Sequence, residues 1–257
     1  MLASSILWCL PLPSQHVRTV SDLHADARML ATGGNKIPYL TNAESELSLH
    51  YILPYQLKEL SCRRLQVTVP IQNTLLNTEL EQAGDPVFQE TFIYVGAGKQ
   101  LSKSVFLKIQ GGYYHLNTAA GTTGHSLFAE LLCLYHPLSG LTIGCYLFNP
   151  TGATIKSAMG TGQLPQACNF GSSYQPMKDI VVLFEAEKQS EETLLWHGGI
   201  EIGLLKKNAM LLGLSGSPFM PSWGFKGNFR RLSYVIGGHL HQVLGITSGI
   251  SLYYNLK

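Results

Sequence analysis

Gly249-Ile250-Ser251-Leu252-Tyr253-Tyr254-Asn255-Leu256 places an apolar side chain at every second position, with small or polar residues between. Side chains on a strand alternate faces, so this stretch presents one apolar wall and one polar wall. Just upstream, Ile246 joins the apolar wall and Thr247 the polar one. One strand earlier, Leu232, Tyr234, Ile236 and Leu240 oppose Ser233, Gly237, His239 and His241, with Gln242-Val243-Leu244-Gly245 as the connection. Soluble sheets and transmembrane barrels both show this pattern, so the rest of the chain arbitrates.

The alternation continues upstream. Leu47, Leu49, Tyr51 and Leu53 oppose Glu46, Ser48 and His50; Leu65, Val67, Val69 and Ile71 oppose Arg64, Gln66 and Thr68. Val105, Leu107, Ile109 and Tyr113 oppose Ser104, Lys108 and Gln110. Trp196, Ile200, Ile202 and Leu204 oppose His197, Glu201 and Gly203, and Trp223, Phe225 and Phe229 oppose Ser222, Lys226 and Asn228. With less regular runs near 72–80, 88–100, 124–136, 139–149, 163–174, 178–188 and 208–215, these make about fourteen strands, many near the ~9–11 residues that cross a bilayer when tilted. Tight turns at 100–102, 137–140, 206–208 and 229–231 alternate with longer connections at 117–123, 150–162, 188–193 and 215–221. That alternation predicts an up-and-down meander with short turns at one rim and loops at the other.

Charged residues are 13% of the chain, against about 25% in ordinary soluble domains, while hydrophobic content is 45%. The polar walls carry more Gly, Ser and Thr than Lys and Glu, whereas a solvated sheet face carries charge. A net charge of +2 argues against nucleic acid as a partner. No apolar run approaches the ~20 residues of a membrane-crossing helix. The expected fold class is therefore all-β, an antiparallel up-and-down transmembrane β-barrel of about fourteen strands; a soluble β-barrel or β-sandwich binding protein is the rival. Tyr51, Tyr55, Tyr113, Tyr114, Tyr253 and Tyr254 sit near strand ends, where interfacial girdles form.

The chain divides into residues 1–13, a signal-like segment; 14–43, an N-terminal plug or helix segment; and 44–257, the barrel. Leu2 to Pro13 resembles a short signal core, although no Lys or Arg precedes it. Asp22 to Ala31 carries helix formers with early acids and stops at Gly33-Gly34, which predicts one short helix. Cys9, Cys62, Cys133, Cys145 and Cys168 lack metal-type spacing and are expected to be small buried or lipid-facing hydrophobes.

Candidate chemistry is sparse. His125 and Ser126 are adjacent on a strand, so they face opposite walls and cannot serve one nucleophilic site. His239 and His241 share one wall, ~7 Å apart, a spacing that suits either a metal with a third ligand or lumen hydrogen bonds. Gly96-Ala97-Gly98 and Gly111-Gly112 precede no helix, so they mark bends or close packing against an inserted segment rather than phosphate loops. Arg63, Arg64, Arg230 and Arg231 are expected at the rims, in reach of anionic lipid. Glu44, Glu46, Glu59, Glu185, Glu187 and Glu201 lie on or near polar walls, where Lys108, Lys226 or Arg64 would pair with them. These residues assign no catalytic, cofactor or metal site, and the binding residues stay unknown at this stage.

Four stretches carry a resemblance. Ala25-Asp26-Ala27-Arg28-Met29-Leu30-Ala31-Thr32-Gly33-Gly34, Leu53-Pro54-Tyr55-Gln56-Leu57-Lys58-Glu59-Leu60, Leu147-Phe148-Asn149-Pro150-Thr151-Gly152 and His241-Gln242-Val243-Leu244-Gly245 resemble, in order, segments of FadL/PorV-like outer-membrane barrels, closest to members found in Bacteroidota. The family's Asn-Pro-Ala segment is replaced here by Lys36-Ile37-Pro38-Tyr39-Leu40-Thr41-Asn42-Ala43. The final strand ends on Leu256-Lys257 instead of the usual aromatic residue. The resemblance implies a fourteen-stranded, non-enzymatic barrel in the bacterial outer membrane, in contact with outer-membrane lipids. It implies passage of a hydrophobic small-molecule ligand through a partly apolar lumen gated by residues 14–43. A docking role with a protein partner, in an outer-membrane secretion or assembly complex, is the second reading it supports. A barrel hydrolase is a distant third.

Overall fold

The computed structural model describes residues 24–39, 45–157, 160–190, 192–205, 207–216 and 218–256. The signal-like segment 1–13, with Cys9, lies outside the described residues, as do Glu44 and Lys257. Among the described residues, sixteen strands form one antiparallel sheet: β1 (Glu46–Leu53), β2 (Cys62–Ile71), β3 (Thr74–Gly84), β4 (Phe88–Gln100), β5 (Val105–Thr118), β6 (Thr123–Leu138), β7 (Leu141–Phe148), β8 (Thr154–Ser157), β9 (Gly160–Gln163), β10 (Ala167–Met177), β11 (Ile180–Gln189), β12 (Leu195–Leu205), β13 (Asn208–Ser215), β14 (Met220–Phe229), β15 (Leu232–His241) and β16 (Gly245–Asn255). Fourteen of them close into a barrel, each paired with its chain neighbours, and β1 pairing with β16 completes the ring. β8 and β9 form a side hairpin. β7 stops at Phe148 opposite Glu130, which leaves the upper end of β6 uncovered, and the hairpin pairs there through Gly124–Ser157 and His125–Lys156.

The rim holding the start of β1 and the end of β16 has turns of two to four residues, and the opposite rim carries the longer connections, up to the stretch 149–166 between β7 and β10. This is the predicted sorting of short and long connectors.

Strand parity is also as predicted. Leu49, Leu65, Ile109, Trp196, Trp223, Phe225, Ile236, Ile250 and Leu252 lie on the outer surface, while Ser48, His50, Arg64, Thr68, Lys108, Gln110, His197, Ser222, Thr247 and Ser251 are buried inside. A contiguous apolar exterior of this extent exceeds the few hundred Å² that soluble monomers expose. Two tyrosines depart from the girdle expectation: Tyr114 is buried inside, and Tyr253 turns inward to Asp26. Period two forces this, because of two adjacent tyrosines only one can face lipid. Cys133, Cys145 and Cys168 sit on outward positions of β6, β7 and β10, whereas Cys62 is buried and donates to Glu81.

The N-terminal helix is shorter than predicted. α1 covers Ala27–Ala31, with Asp26 as N-cap accepting the Met29 N–H at 2.7 Å. His24 has φ 58, which is incompatible with a helix running through it.

The barrel's depth profile gives a direct test. Ile250 sits at the middle of β16 and Tyr254 near its end, both facing out. Ile250→Lys is expected to lower unfolding stability in lipid vesicles by roughly 2–4 kcal/mol and Tyr254→Lys by about 0–1 kcal/mol. Denaturant titration followed by gel mobility measures both, and equal costs would contradict the membrane depth assigned to these positions.

Candidate functional site

A fourteen-stranded ring is wider than its own wall side chains can fill, since eight strands already enclose room for side chains or one small ligand. Residues 24–39 occupy the space, and they do so as a belt that runs once round the inside. His24 begins between β3 and β6, and Ala25 packs with Ile52, Cys62 and Ala83 of β1, β2 and β3. The Ala27 N–H donates to Ser251 of β16 at 2.9 Å. Ala31 presses on Gly224 and Gly237, and Thr32 and Gly33 on Gly199 and Gly213. Glu185 of β11 accepts the Lys36 N–H at 2.8 Å and the Ile37 N–H at 3.0 Å, and Ile37 reaches Gly144 of β7. There the belt nearly meets its own start, since the His24 ring lies edge-on to Tyr146 of the same strand. The Arg28 guanidinium stacks 4.1 Å over the Tyr39 ring and ties the two ends of the segment across the lumen.

The wall is built to receive this belt. On β7 and β12–β16 several inward positions in contact are glycines, because a Cβ at Gly213 would strike the Thr32–Gly33 backbone and one at Gly224 would strike the Ala31 methyl. On β4–β7 the lumen is instead filled by rings, Phe92, Tyr94, Tyr114, Phe128, Tyr146 and Phe148. Gly98 and Gly112 seat Phe106 and Phe128. Both lie in the segments where close packing is the expected reading.

Charge pins the belt to the wall. His24 Nδ1 lies 2.7 Å from Glu79 and Nε2 3.0 Å from Glu130, so the imidazole bridges β3 and β6. The backbone N–H of His24 donates to Glu81 at 3.2 Å. Burial alone would lower its pKa, but the carboxylates of Glu79 and Glu130 outweigh that and raise it from 6.5 to about 10, so the ring is an imidazolium at neutral pH. Arg64 approaches Asp26 at 3.6 Å and Glu79 at 3.8 Å. Glu201 binds Arg28 at 2.5 Å and Lys226 at 3.1 Å, and Lys36 stands 3.8 Å from Glu187. Asn169 bridges Glu185 and Glu187 at 2.7 and 2.9 Å. A cavity of about 30 Å³ lies beside His24, and Arg64 Nε and Gln110 Nε2 on its wall have no hydrogen-bond partner among the described residues. It has room for about two waters.

Several sequence expectations resolve here. Glu201 pairs with Lys226 as predicted, but also with Arg28, and Glu185 and Glu187 engage Lys36 and Asn169 rather than strand lysines. Arg64 is not a rim charge; parity turns it into the lumen, while Arg63, Arg230 and Arg231 are exposed. His125 is exposed and Ser126 buried, so they face opposite sides. His239 and His241 part company: His241 Nδ1 accepts the N–H groups of Val243 and Leu244 at 3.1 Å, while His239 lines a separate cavity. Among the pinning groups, strand parity alone speaks for Glu79, Glu81 and Glu130, and His24, which lies on no strand, carries no sequence signal.

That second cavity, of about 390 Å³, opens at the long-connection rim. The belt residues Ala25 and Leu30 form its floor, Ile52, Ala83 and Phe88 its walls, and Tyr55 and Leu60 of the β1–β2 connection its upper side. Tyr55 and Gln56 both hold positive φ, 51 and 60, a costly pairing for residues with a Cβ. Hydrogen bonds to β16 hold the connection there: Tyr55 N–H to Thr247 at 3.3 Å and Gln56 Nε2 to Ser248 at 2.9 Å.

These features define a class: a closed antiparallel barrel with an apolar exterior and an N-terminal segment in its lumen. No protein-family model matches the chain, and no curated protein matches its sequence. Among solved structures it is similar to the Pseudomonas putida monoaromatic hydrocarbon channel TodX in a deltaS2 mutant, with a TM-score of 0.65 at 9% identity over 91% of this chain and 99% of that one. It is also similar to the CymD monoaromatic hydrocarbon channel (TM-score 0.65, 10% identity, 90% and 97% covered) and to the Ralstonia pickettii toluene transporter TbuX (0.63, 9%, 91% and 98%). At such identities the likeness is one of fold, and it bears on neither a PorV-like docking role nor Bacteroidota kinship.

Two outcomes test the belt. His24→Gln is expected to destabilise the barrel by roughly 3 kcal/mol at pH 6. A raised folded pKa stabilises fully below 6.5 and loses that contribution as pH rises through about 10. The wild type's advantage, measured by thermal melting, should therefore shrink to near zero by pH 10.5; an advantage independent of pH would contradict the imidazolium bridge. Gly213→Val should unseat the belt at a cost of about 1–3 kcal/mol and expose the bonds after Arg28 and Lys36 to trypsin. Continued resistance there would contradict the docking described.

Proposed function

We propose that the chain is a non-enzymatic barrel of the bacterial outer membrane that passes small hydrophobic molecules, with residues 24–39 as a movable plug. The observation that carries this is the rim cavity. It is largely apolar, lies within the 300–1,000 Å³ of small-molecule sites, and is floored by the plug itself, so a bound molecule touches the element that closes the lumen. The resemblance in fold to hydrocarbon channels supports it, as does the apolar exterior, which suits direct contact with outer-membrane lipids. An N-terminal plug segment spanning 14–43 and a barrel spanning 44–257 form the organisation this reading uses.

Ala27 and Ser251 are joined by a hydrogen bond, so an Ala27→Cys, Ser251→Cys pair can fasten the plug to β16. Uptake of toluene into proteoliposomes is expected to fall to background in the oxidised pair and to recover on reduction, with single-cysteine variants unaffected. Equal uptake in the fastened and released forms would overturn the movable-plug reading.

A further inference from the structure

Three of the four described cysteines gather on one patch of the outer wall. Cys133 of β6 and Cys145 of β7 stand directly opposite each other in the register of those strands. Across the next strand pair Cys145 faces Phe170 and Cys168 faces Leu147, so Cys168 of β10 is a diagonal neighbour of Cys145. All three point outward by strand parity; Cys168 is exposed, and Cys133 and Cys145 are half-buried. Their outward neighbours Leu131, Ile143, Leu147 and Phe170 are apolar, and the belt lies on the inner side of the wall.

Register fixes which thiols can act together. Directly opposed residues of antiparallel strands have Cα atoms about 4.5–5.5 Å apart, a spacing at which two sulfur atoms can meet. A diagonal pair is about 7–8 Å apart at Cα and closer at Cβ. That is long for a disulfide, but the Cys145 and Cys168 thiols share a hydrogen bond, so one atom can be held between them. Cys133 and Cys168 are separated by a whole strand, at least ~9 Å, and cannot join each other. The three sulfur atoms do not all lie within 4.8 Å of one another. The patch therefore offers two dithiol pairs that share Cys145, and not a closed three-thiol metal site.

We propose that Cys145, with Cys133 or Cys168, forms a lipid-facing dithiol site that binds trivalent organoarsenicals. The site requires only that this wall faces lipid, and is independent of what the lumen passes. Sulfur is a soft donor and prefers a soft acceptor. Lipid adds a second condition, because a charged complex on the outer wall bears the cost of an ion in hydrocarbon. Three thiolates on a zinc ion would leave a net negative charge, and a structural zinc site also needs a fourth ligand. An aryl arsenous acid, ArAs(OH)2, meets both conditions. Each thiol forms one S–As bond as one As–O bond breaks, and its proton leaves with the hydroxyl as water. Two thiols replace both hydroxyls, arsenic stays trivalent, no electron is transferred and the product is neutral. The aryl group then lies against Ile143, Leu147 and Phe170.

Phenylarsine oxide, which hydrates to the arsenous acid, tests this on the pre-reduced full chain in lipid nanodiscs. Free thiols are counted by N-ethylmaleimide labelling after unfolding and located by peptide mass spectrometry. The wild type is expected to protect two thiols per arsenical, always including Cys145, with release by 2,3-dimercaptopropanol. Cys133→Ser and Cys168→Ser each leave one pair and should still protect two. Cys145→Ser and Cys145→Ala should lose the bridge, and half-saturation should then need about 100-fold more reagent, since two thiols hold one arsenical by avidity. Heat-modifiable gel mobility reports that each variant forms the barrel. A two-thiol bridge that survives loss of Cys145, attachment through a single thiol, protection mapped to Cys9 or Cys62, or no protection in the wild type would each overturn the proposal.

Discussion

The buried imidazolium of His24, held between Glu79 and Glu130, is the interaction on which the interior depends. A fourteen-stranded ring cannot fill itself with wall side chains, so its interior must hold either water or an inserted segment. Here residues 24–39 fill it, and a chain segment placed there brings its own backbone N–H groups and charges into a dry space. Each must be satisfied. The wall does this with carboxylates: Glu81 for the backbone of His24, Glu185 for Lys36 and Ile37, and Glu201 for Arg28. Carboxylates such as Glu79, Glu81, Glu130, Glu185 and Glu187 are thus buried inside. Outside, lipid would penalise them.

The same logic explains the asymmetry of the lumen. Where the belt's backbone runs flush with the wall, on β12–β16, the wall gives way through glycine. On β4–β7, where the belt meets the wall only through its two ends at His24 and Ile37, aromatic rings supply the volume. Strand length follows suit: β4, β5 and β6 have 13, 14 and 16 residues and stand taller than β7 with 8. The step between β6 and β7 is what the β8–β9 hairpin covers.

Much of the barrel was legible in the sequence because a strand's facing is a local property. Alternation around Leu49, Ile109, Trp223 and Ile250 stated which wall each residue joins, and fourteen such runs with two lengths of connector stated the topology. Partners were not legible. Parity places Glu79 and Glu130 inside but says nothing of His24, which a helical reading of 22–31 absorbed into a run of helix formers. The β8–β9 hairpin carries no strand signal, because among Thr154–Gln163 only Ile155 offers an apolar anchor with strand character. The rim cavity assembles residues from the β1–β2 connection, the ends of five strands and the belt, so no contiguous stretch announces it. Tyr253 is the instructive case: its neighbour Tyr254 takes the lipid face, and Tyr253 becomes the wall's hydrogen-bond donor to Asp26 at 3.0 Å.

Residues 24–39 are docked in the lumen by specific hydrogen bonds rather than loosely enclosed, and amide hydrogen exchange of the protein in lipid nanodiscs distinguishes the two. The amides of Ala27, Lys36 and Ile37, which donate to wall side chains, should be protected to within about tenfold of wall strand amides such as Leu211 and Val235. Exchange of those three amides at the rate of an unstructured chain, with the strands still protected, would contradict it.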